Sequence, residues 1–156
     1  MASTPRDMKQ IRVEVWNNIM TEQSAKKKTI KGETLKKFIN SLRRIGGYKA
    51  SGVLTFKGRI LARDSVDPRI DLDTVGTTFN DLFQKAHEAS ENVGLGACYE
   101  TAINTPRGII IIRCSGLDTL AHFHLIVILG GEGANLSLVK HELDKFLAVV
   151  MAELAG

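Results

Sequence analysis

Two tight-turn signals join neighbouring strand-like segments, and this local connectivity constrains the fold more than any other feature. In Lys57-Gly58 the glycine can take the positive φ that a short hairpin turn requires. Asn104-Thr-Pro-Arg-Gly108 is a second segment rich in turn-forming residues. Because a short turn joins only antiparallel neighbours, each signal predicts a β-hairpin. The predicted hairpin strands are residues 50–56 with 59–63, and residues 98–103 with 109–112.

Three amphipathic helical patterns accompany these strands. In each, apolar residues recur at three- and four-residue spacing, and the stripe of the second pattern includes Leu82 and Val93. Asp71 or Asp73 is available to cap that second helix. A fifth strand is predicted over 121–129. The order α-β-β-α-β-β-β-α predicts an α+β domain with a five-stranded, mainly antiparallel sheet flanked by helices. The helical segments are 34–45, 72–93 and 136–154.

This order disfavours nucleotide-binding folds, which require repeated βαβ crossovers. Gly130-Gly-Glu-Gly133 does lie between a strand and a helix, where a phosphate loop would be. However, Ala134-Asn135-Leu136 follows in place of the Gly-Lys-Ser/Thr that a phosphate loop needs. The glycines therefore predict a flexible strand-to-helix connection.

Charge divides the chain into two parts. Residues 1–50 hold 12 Lys and Arg against 4 Asp and Glu, whereas residues 51–156 hold 9 against 13. We assign 1–33 as a basic N-terminal extension, flexible or a short amphipathic helix, and 34–156 as the folded domain. Because the basic excess belongs to the leading segment, no nucleic-acid binding is predicted. Any membrane contact is expected only through the lysine run 26–28.

The sequence predicts a cytoplasmic location, because it offers neither a membrane-spanning stretch nor a secretory signal. The longest apolar stretch, 120–129, is about ten residues long and too short to cross a bilayer. The N-terminal residues lack the apolar core of a secretory signal. Cys98 and Cys114 are too few for a disulfide framework or a four-cysteine zinc site, so two reduced thiols are expected.

The histidines and cysteines do not form a catalytic or metal-binding motif in the sequence. His122 and His124 are two residues apart on a predicted strand and therefore share a face. That spacing can serve a metal ion, but a site needs further ligands, and no cluster of familiar spacing accompanies the pair. Neither Cys98 nor Cys114 has a histidine neighbour in the sequence to act as a base. We therefore predict no enzyme activity, no cofactor and no metal.

Four segments together resemble a known family. They are the hairpin of 50–62 with its glycine turn, the helix end Glu91-Asn-Val-Gly-Leu-Gly96, the strand 107–112 and, most closely, the start of the last helix at 133–143. With the element order, they make residues 34–155 similar to the roadblock domain, the family of the dynein light chain of that name and its prokaryotic relatives.

The resemblance implies a dimer, with itself or with a second roadblock protein, that binds a Ras-like small GTPase and regulates or scaffolds it without catalysis of its own. Roadblock dimers pair the strand after the long helix in antiparallel fashion and place their long helices side by side. The residue pattern supports pairing independently of the resemblance. Residues 97–103 alternate like a strand, and a strand left unpaired at the edge of a sheet tends to pair with another chain. The implied dimer-interface residues are Ala97, Tyr99, Thr101 and Ile103. The implied partner-binding residues, on the helix face opposite the apolar stripe, are Asn80, Gln84, Glu88 and Glu91.

An alternative function stays open. Sheets flanked by helices also resemble profilin-like and PAS-like sensors. A ligand-sensing module of that kind would need a pocket lined by groups such as His122, His124 and Cys114.

Overall fold

The structure, a computed structural model, describes residues 31–116, 122–131 and 133–155. The basic extension up to residue 30, including its lysine run, lies outside the described residues. The first helix begins at Gly32, so it includes the last two residues assigned to that extension. No helix among the described residues is both long enough and apolar enough to cross a membrane.

Within the described part of the chain, three helices and five strands follow one another in the predicted order α-β-β-α-β-β-β-α, which confirms the predicted fold class. Asp71 caps the second helix, since its side chain accepts hydrogen bonds from the backbone N–H of Asp73 and the hydroxyl of Thr74. The elements are α1 (Gly32–Arg43), β1 (Tyr48–Thr55), β2 (Ile60–Ser65), α2 (Leu72–Asn92), β3 (Glu100–Thr105), β4 (Gly108–Cys114), β5 (Phe123–Gly130) and α3 (Leu136–Ala155).

The five strands form one sheet in the order β2-β1-β5-β4-β3, and every neighbouring pair is antiparallel. Strand β5, the last in the chain, therefore lies at the centre, while β2 and β3 are the two edges. Each edge strand has a single neighbour among the described residues. The edge at β3 comes directly after α2 in the chain, which brings a helix end and a sheet edge together.

Helices cover both faces of the sheet and create two separate cores. On one face α1 and α3 pack together, with the rings of Phe38 and Phe146 stacked 4.1 Å apart. On the other face α2 is the one helix of the described residues, and it packs through Leu72 and Phe83 over a smaller core. The sheet residues of this smaller core are Ala50, Leu54, Ile112, Cys114 and Ile126.

Two glycines allow α2 and the β1–β2 hairpin to approach closely. Gly58 has a φ of +98°, and its N–H donates to the carbonyl of Thr55, which confirms the predicted turn. Gly76 lies on α2 where a Cβ would come within 2.9 Å of the Ile60 side chain. The helix therefore rests directly against the sheet edge formed by β2.

Candidate partner-binding surface

Helix α2 has an apolar flank that the sheet does not cover. An α-helix turns about 100° per residue, so Leu82, Ala86, Ala89 and Val93 form one stripe beside the core-facing residues. Leu82 is 49% exposed and Val93 70% exposed, and Ala89 is exposed as well. Leu82 and Val93 follow the predicted apolar period of α2, but the sheet covers only one side of this wide apolar face and leaves both side chains exposed.

The apolar flank continues past the end of α2. The helix ends in a Schellman motif, in which the N–H of Leu95 donates to Ser90 and that of Gly94 donates to Glu91. Gly94 takes the left-handed conformation that this motif requires, with a φ of +78°. The motif turns Leu95 outward, and its side chain is 80% exposed. Exposed large apolar side chains at one place are characteristic of interaction sites.

The predicted dimer-interface residues lie at the β3 edge. Ala97 and Tyr99 precede the strand and are exposed, Tyr99 by 68%. Thr101 and Ile103 lie within β3 and are half-buried. The N–H of Cys114 donates to the carbonyl of Tyr99, so pairing with β4 extends one residue beyond the strand. The structure thus brings all four residues to one edge, next to the apolar flank of α2.

Buried ion pairs hold this edge strand in place. The Nε of Arg113 on β4 donates to Oε1 of Glu100 on β3 at 2.7 Å, and Lys140 on α3 lies 2.9 Å from the other carboxylate oxygen. Arg113 also pairs with Asp144 of α3. Because Arg113 and Glu100 are both largely shielded from water, the pair between them loses less to solvent than a surface pair does, whereas the Lys140 and Asp144 side chains are more exposed. Strand β3 is therefore held against β4 and α3 by these ion pairs.

The predicted partner-binding residues divide into two groups. Glu88 and Glu91 are exposed on α2, where Glu88 lies near Lys85 and Glu91 lies 3.4 Å from His87. Gln84 is half-buried, and its amide donates to the carbonyl of Phe56 in the β1–β2 turn. These three residues lie on the flank opposite the apolar stripe.

Asn80 differs from the prediction, because it is only 2% exposed and does not lie on the open face. Its Nδ2 donates to the carbonyl of Phe56 at 3.0 Å, and its Oδ1 lies 2.6 Å from Nδ1 of His124. A polar side chain becomes favourable in this interior position because both ends of its amide find partners.

A cluster of Cys114, His122 and His124 lies beneath α2. Cys114 on β4 and His124 on β5 are cross-strand partners, and one ligand-type atom from each of the three residues lies within 4.8 Å of the others. Burial lowers the pKa of His124 to about 3, with smaller contributions from His122 and His87. Burial also lowers the pKa of His122 and raises that of the Cys114 thiol. Among the described residues, these three side chains form the group of potential metal ligands that lies close enough together to share one ion.

A cleft lies on the opposite side of the sheet. It is about 610 Å³ in volume and opens between α1 and α3. Charges of both signs line it, including Lys37 of α1, Arg44 directly after that helix, and Glu142 and Glu153 of α3. The cleft is separate from the cysteine–histidine cluster, against which the rings of Phe56 and Phe83 pack directly.

Comparison with known proteins identifies the architecture. No protein-family model matches the sequence, and no curated protein sequence matches it. Solved structures do match. A roadblock/LC7 domain from Streptomyces avermitilis is 16% identical, with 76% of this chain and 94% of that chain covered and a TM-score of 0.63. Myxococcus xanthus MglB is 12% identical, with 81% and 93% covered and a TM-score of 0.64.

A further match is a structure described as MglB with tetrameric arrangement, which is 18% identical, with 81% of this chain and 93% of that chain covered and a TM-score of 0.63. In each of the three comparisons, 93–94% of the solved chain is covered. The chain therefore has the roadblock/LC7 fold, and the family resemblance carried by its sequence is confirmed.

Proposed function

We propose that this chain is a non-catalytic, dimeric module that binds a Ras-like small GTPase and regulates or scaffolds it. The observation that carries the proposal is the continuity of the apolar α2 flank with the outer edge of β3, which pairs with no other strand of the described residues, on a roadblock/LC7 fold. The tetrameric arrangement named for one structural neighbour is consistent with self-association of this fold.

In the proposed dimer, two β3 strands pair in antiparallel register across a twofold axis, so the five-stranded sheets of two copies become continuous. Residues Tyr99, Thr101 and Ile103 then lie along the joined edge, where residue i of one copy faces residue j of the other and the reverse. Pairing of one short strand buries little area, and a specific interface usually buries about 1,200–2,000 Å² in total. The apolar flank of α2, with Val93 and Leu95, supplies the remaining contact when the two helices lie side by side.

The GTPase is proposed to bind across the paired α2 helices. Glu88 and Glu91 give this face an acidic character, and Gln84 adds an amide beside them. Asn80 acts here as a positioning residue, because it fixes the Phe56 carbonyl that Gln84 also contacts. The glycine segment 130–133 lacks the lysine of a phosphate loop, so in this proposal the nucleotide chemistry takes place in the partner.

Charge reversal on α2 tests the partner surface. The full chain is mixed with Ras-like GTPases from the same organism, loaded with GDP or a non-hydrolysable GTP analogue, and binding is measured by calorimetry. Binding of at least one GTPase that prefers one nucleotide state supports the proposal, and failure of all of them in both states contradicts it. Glu88→Lys is expected to weaken binding at least tenfold.

Glu33→Lys provides the matched control. Glu33 on α1 and Glu88 on α2 are both exposed, and each lies near one lysine one turn away. The two variants therefore change net charge equally at different surfaces. Equal weakening by both would indicate a general charge effect and contradict the assignment of the binding face to α2.

A further inference from the structure

We propose that Cys114, His122 and His124 form a binding site for a single Zn²⁺ ion beneath α2. This site lies beneath the proposed partner-binding surface and shares the positioning residue Asn80 with it, but the argument for the site does not depend on partner binding. Its ligands come from two central strands of the sheet, β4 and β5, and from the residue that precedes β5 by one position.

The backbone already brings the three side chains together. Cys114 and His124 are directly opposite each other in the antiparallel ladder, where side chains on one face lie closest. His122 lies two residues before His124 and projects from the same face. Tetrahedral zinc, with Zn–S near 2.3 Å and Zn–N near 2.0 Å, needs ligand atoms about 3.5 Å apart. The observed spread of up to 4.8 Å requires only a small closing movement of the side chains.

Asn80 fixes the tautomer of His124 and leaves its second nitrogen, Nε2, available for an ion. Since Nδ2 of Asn80 donates to the Phe56 carbonyl, its Oδ1 faces Nδ1 of His124, at 2.6 Å. An amide oxygen only accepts, so the hydrogen-bond network assigns the imidazole proton to Nδ1. The lone pair is then on Nε2. Metal-binding histidines usually have such a partner on their second nitrogen, which fixes the ring and its tautomer.

Aromatic rings enclose the cluster. The ring of Phe56 stacks on His122 with centroids 5.0 Å apart, and Phe83 of α2 meets His124 edge-on at 4.7 Å. His124 is 1% exposed and Cys114 is 8% exposed. An apolar shell of this kind restricts water and holds the ligand rings in fixed orientations.

The donor set selects the class of ion. One thiolate and two imidazoles suit Zn²⁺, whereas Mg²⁺ and Ca²⁺ take oxygen ligands. Three protein ligands leave a fourth position, which water fills in the proposed site. The ion would link β4 to β5 and, through Asn80, both strands to α2.

The test uses the full chain, produced without a histidine tag and treated with a chelator. Titration with Co²⁺ is expected to give tetrahedral d–d bands and a thiolate-to-cobalt charge-transfer band that saturate at one ion per chain. Zn²⁺ is expected to displace the cobalt and to raise the melting temperature. No thiolate-to-cobalt band, or a site that takes Cu²⁺ but not Zn²⁺, would overturn the proposal.

Variants separate ligation from folding. Cys114→Ser should abolish the charge-transfer band, and His122→Asn should weaken Zn²⁺ binding at least tenfold, while circular dichroism shows both variants folded. Asn80→Ala should keep the band but weaken affinity by about ten- to a hundredfold, as expected for loss of an outer-shell partner. Cys98→Ser and His141→Gln, which alter a cysteine and an exposed histidine outside the cluster, should bind like the parent chain. Should His122→Asn bind Zn²⁺ normally, the ligand assignment is refuted.

Discussion

The Oδ1 of Asn80 on α2 lies 2.6 Å from Nδ1 of His124 on β5, and this contact links helix α2 to the central strand of the sheet. The same amide donates to the Phe56 carbonyl, so one side chain connects the helix, the β1–β2 turn and β5.

Asn80→Ala is expected to destabilise the fold by about 1–3 kcal/mol, because it leaves the buried Nδ1 of His124 without this partner, whereas the Phe56 carbonyl keeps the hydrogen bond from Gln84. Urea unfolding of the metal-free chain measures this change. Asn92→Ala, which removes an exposed asparagine from the same helix, should cost far less. If the two variants have equal stability, the Asn80 contacts do not stabilise the fold.

Asp67 should make stability depend on pH in the acid range. Hydrogen bonds from the Arg69 side chain and backbone, with further contributions from the charges of Arg69 and Lys49, hold the pKa of the Asp67 carboxyl well below its usual range. A depressed pKa adds stability above the unfolded-state pKa of about 3.9, and that stability is lost as pH falls below it.

Thermal unfolding of the parent chain and of Asp67→Asn between neutral and acid pH tests this expectation. The parent should melt higher at neutral pH, and the difference should narrow as pH falls through about 4. Placing Arg69→Leu in both chains should also narrow the difference in melting temperature between them, because it removes the main cause of the depressed Asp67 pKa. A difference that stays constant down to low pH would rule out this role for Asp67.

Gly58→Ala should disturb the β1–β2 turn and its contact with α2. Gly58 has a φ of +98°, and an added Cβ would lie 3.2 Å from the Asn80 amide nitrogen. Gly131 also has a positive φ, but a Cβ there would meet open space. Gly131→Ala therefore reports backbone strain alone, about 1–2 kcal/mol. Chemical denaturation should show a larger loss for Gly58→Ala, and equal losses would show that the Asn80 contact is unimportant.

Charged residues on the apolar flank should separate the proposed dimer without unfolding the chain. Val93→Asp with Leu95→Asp places charges where two α2 helices meet, and both side chains are exposed in the single chain, so folding should survive. Sedimentation velocity should show a monomer with an unchanged circular dichroism spectrum. Leu138→Asp, an exposed leucine of α3 that is 48% exposed, should stay dimeric. A dimer that persists in the double variant would place the interface elsewhere.

The sequence predicts the fold well because its strongest signals are local. The Lys57-Gly58 turn, the Asp71 cap and the helical periodicities depend on residues a few positions apart, and they determine the element order. The sites are less local. Asn80 is buried through partners 24 and 44 residues away, so its polarity alone suggests an exposed position.

The same physical reason explains the remaining differences. Leu82 and Val93 follow the apolar period of α2, but only the position of the sheet decides which side of that wide stripe is covered. Cys114 joins His124 through the register of β4 on β5, which a hydrophobic pattern does not specify.

The molar mass of the full chain in solution tests the central claim most directly. Light scattering on a size-exclusion column at micromolar concentration should give twice the chain mass of 17.1 kDa, because the β3 edge and the α2 flank pair with a second copy. A mass of 17.1 kDa throughout that concentration range would contradict the proposed dimer and the partner surface built on it.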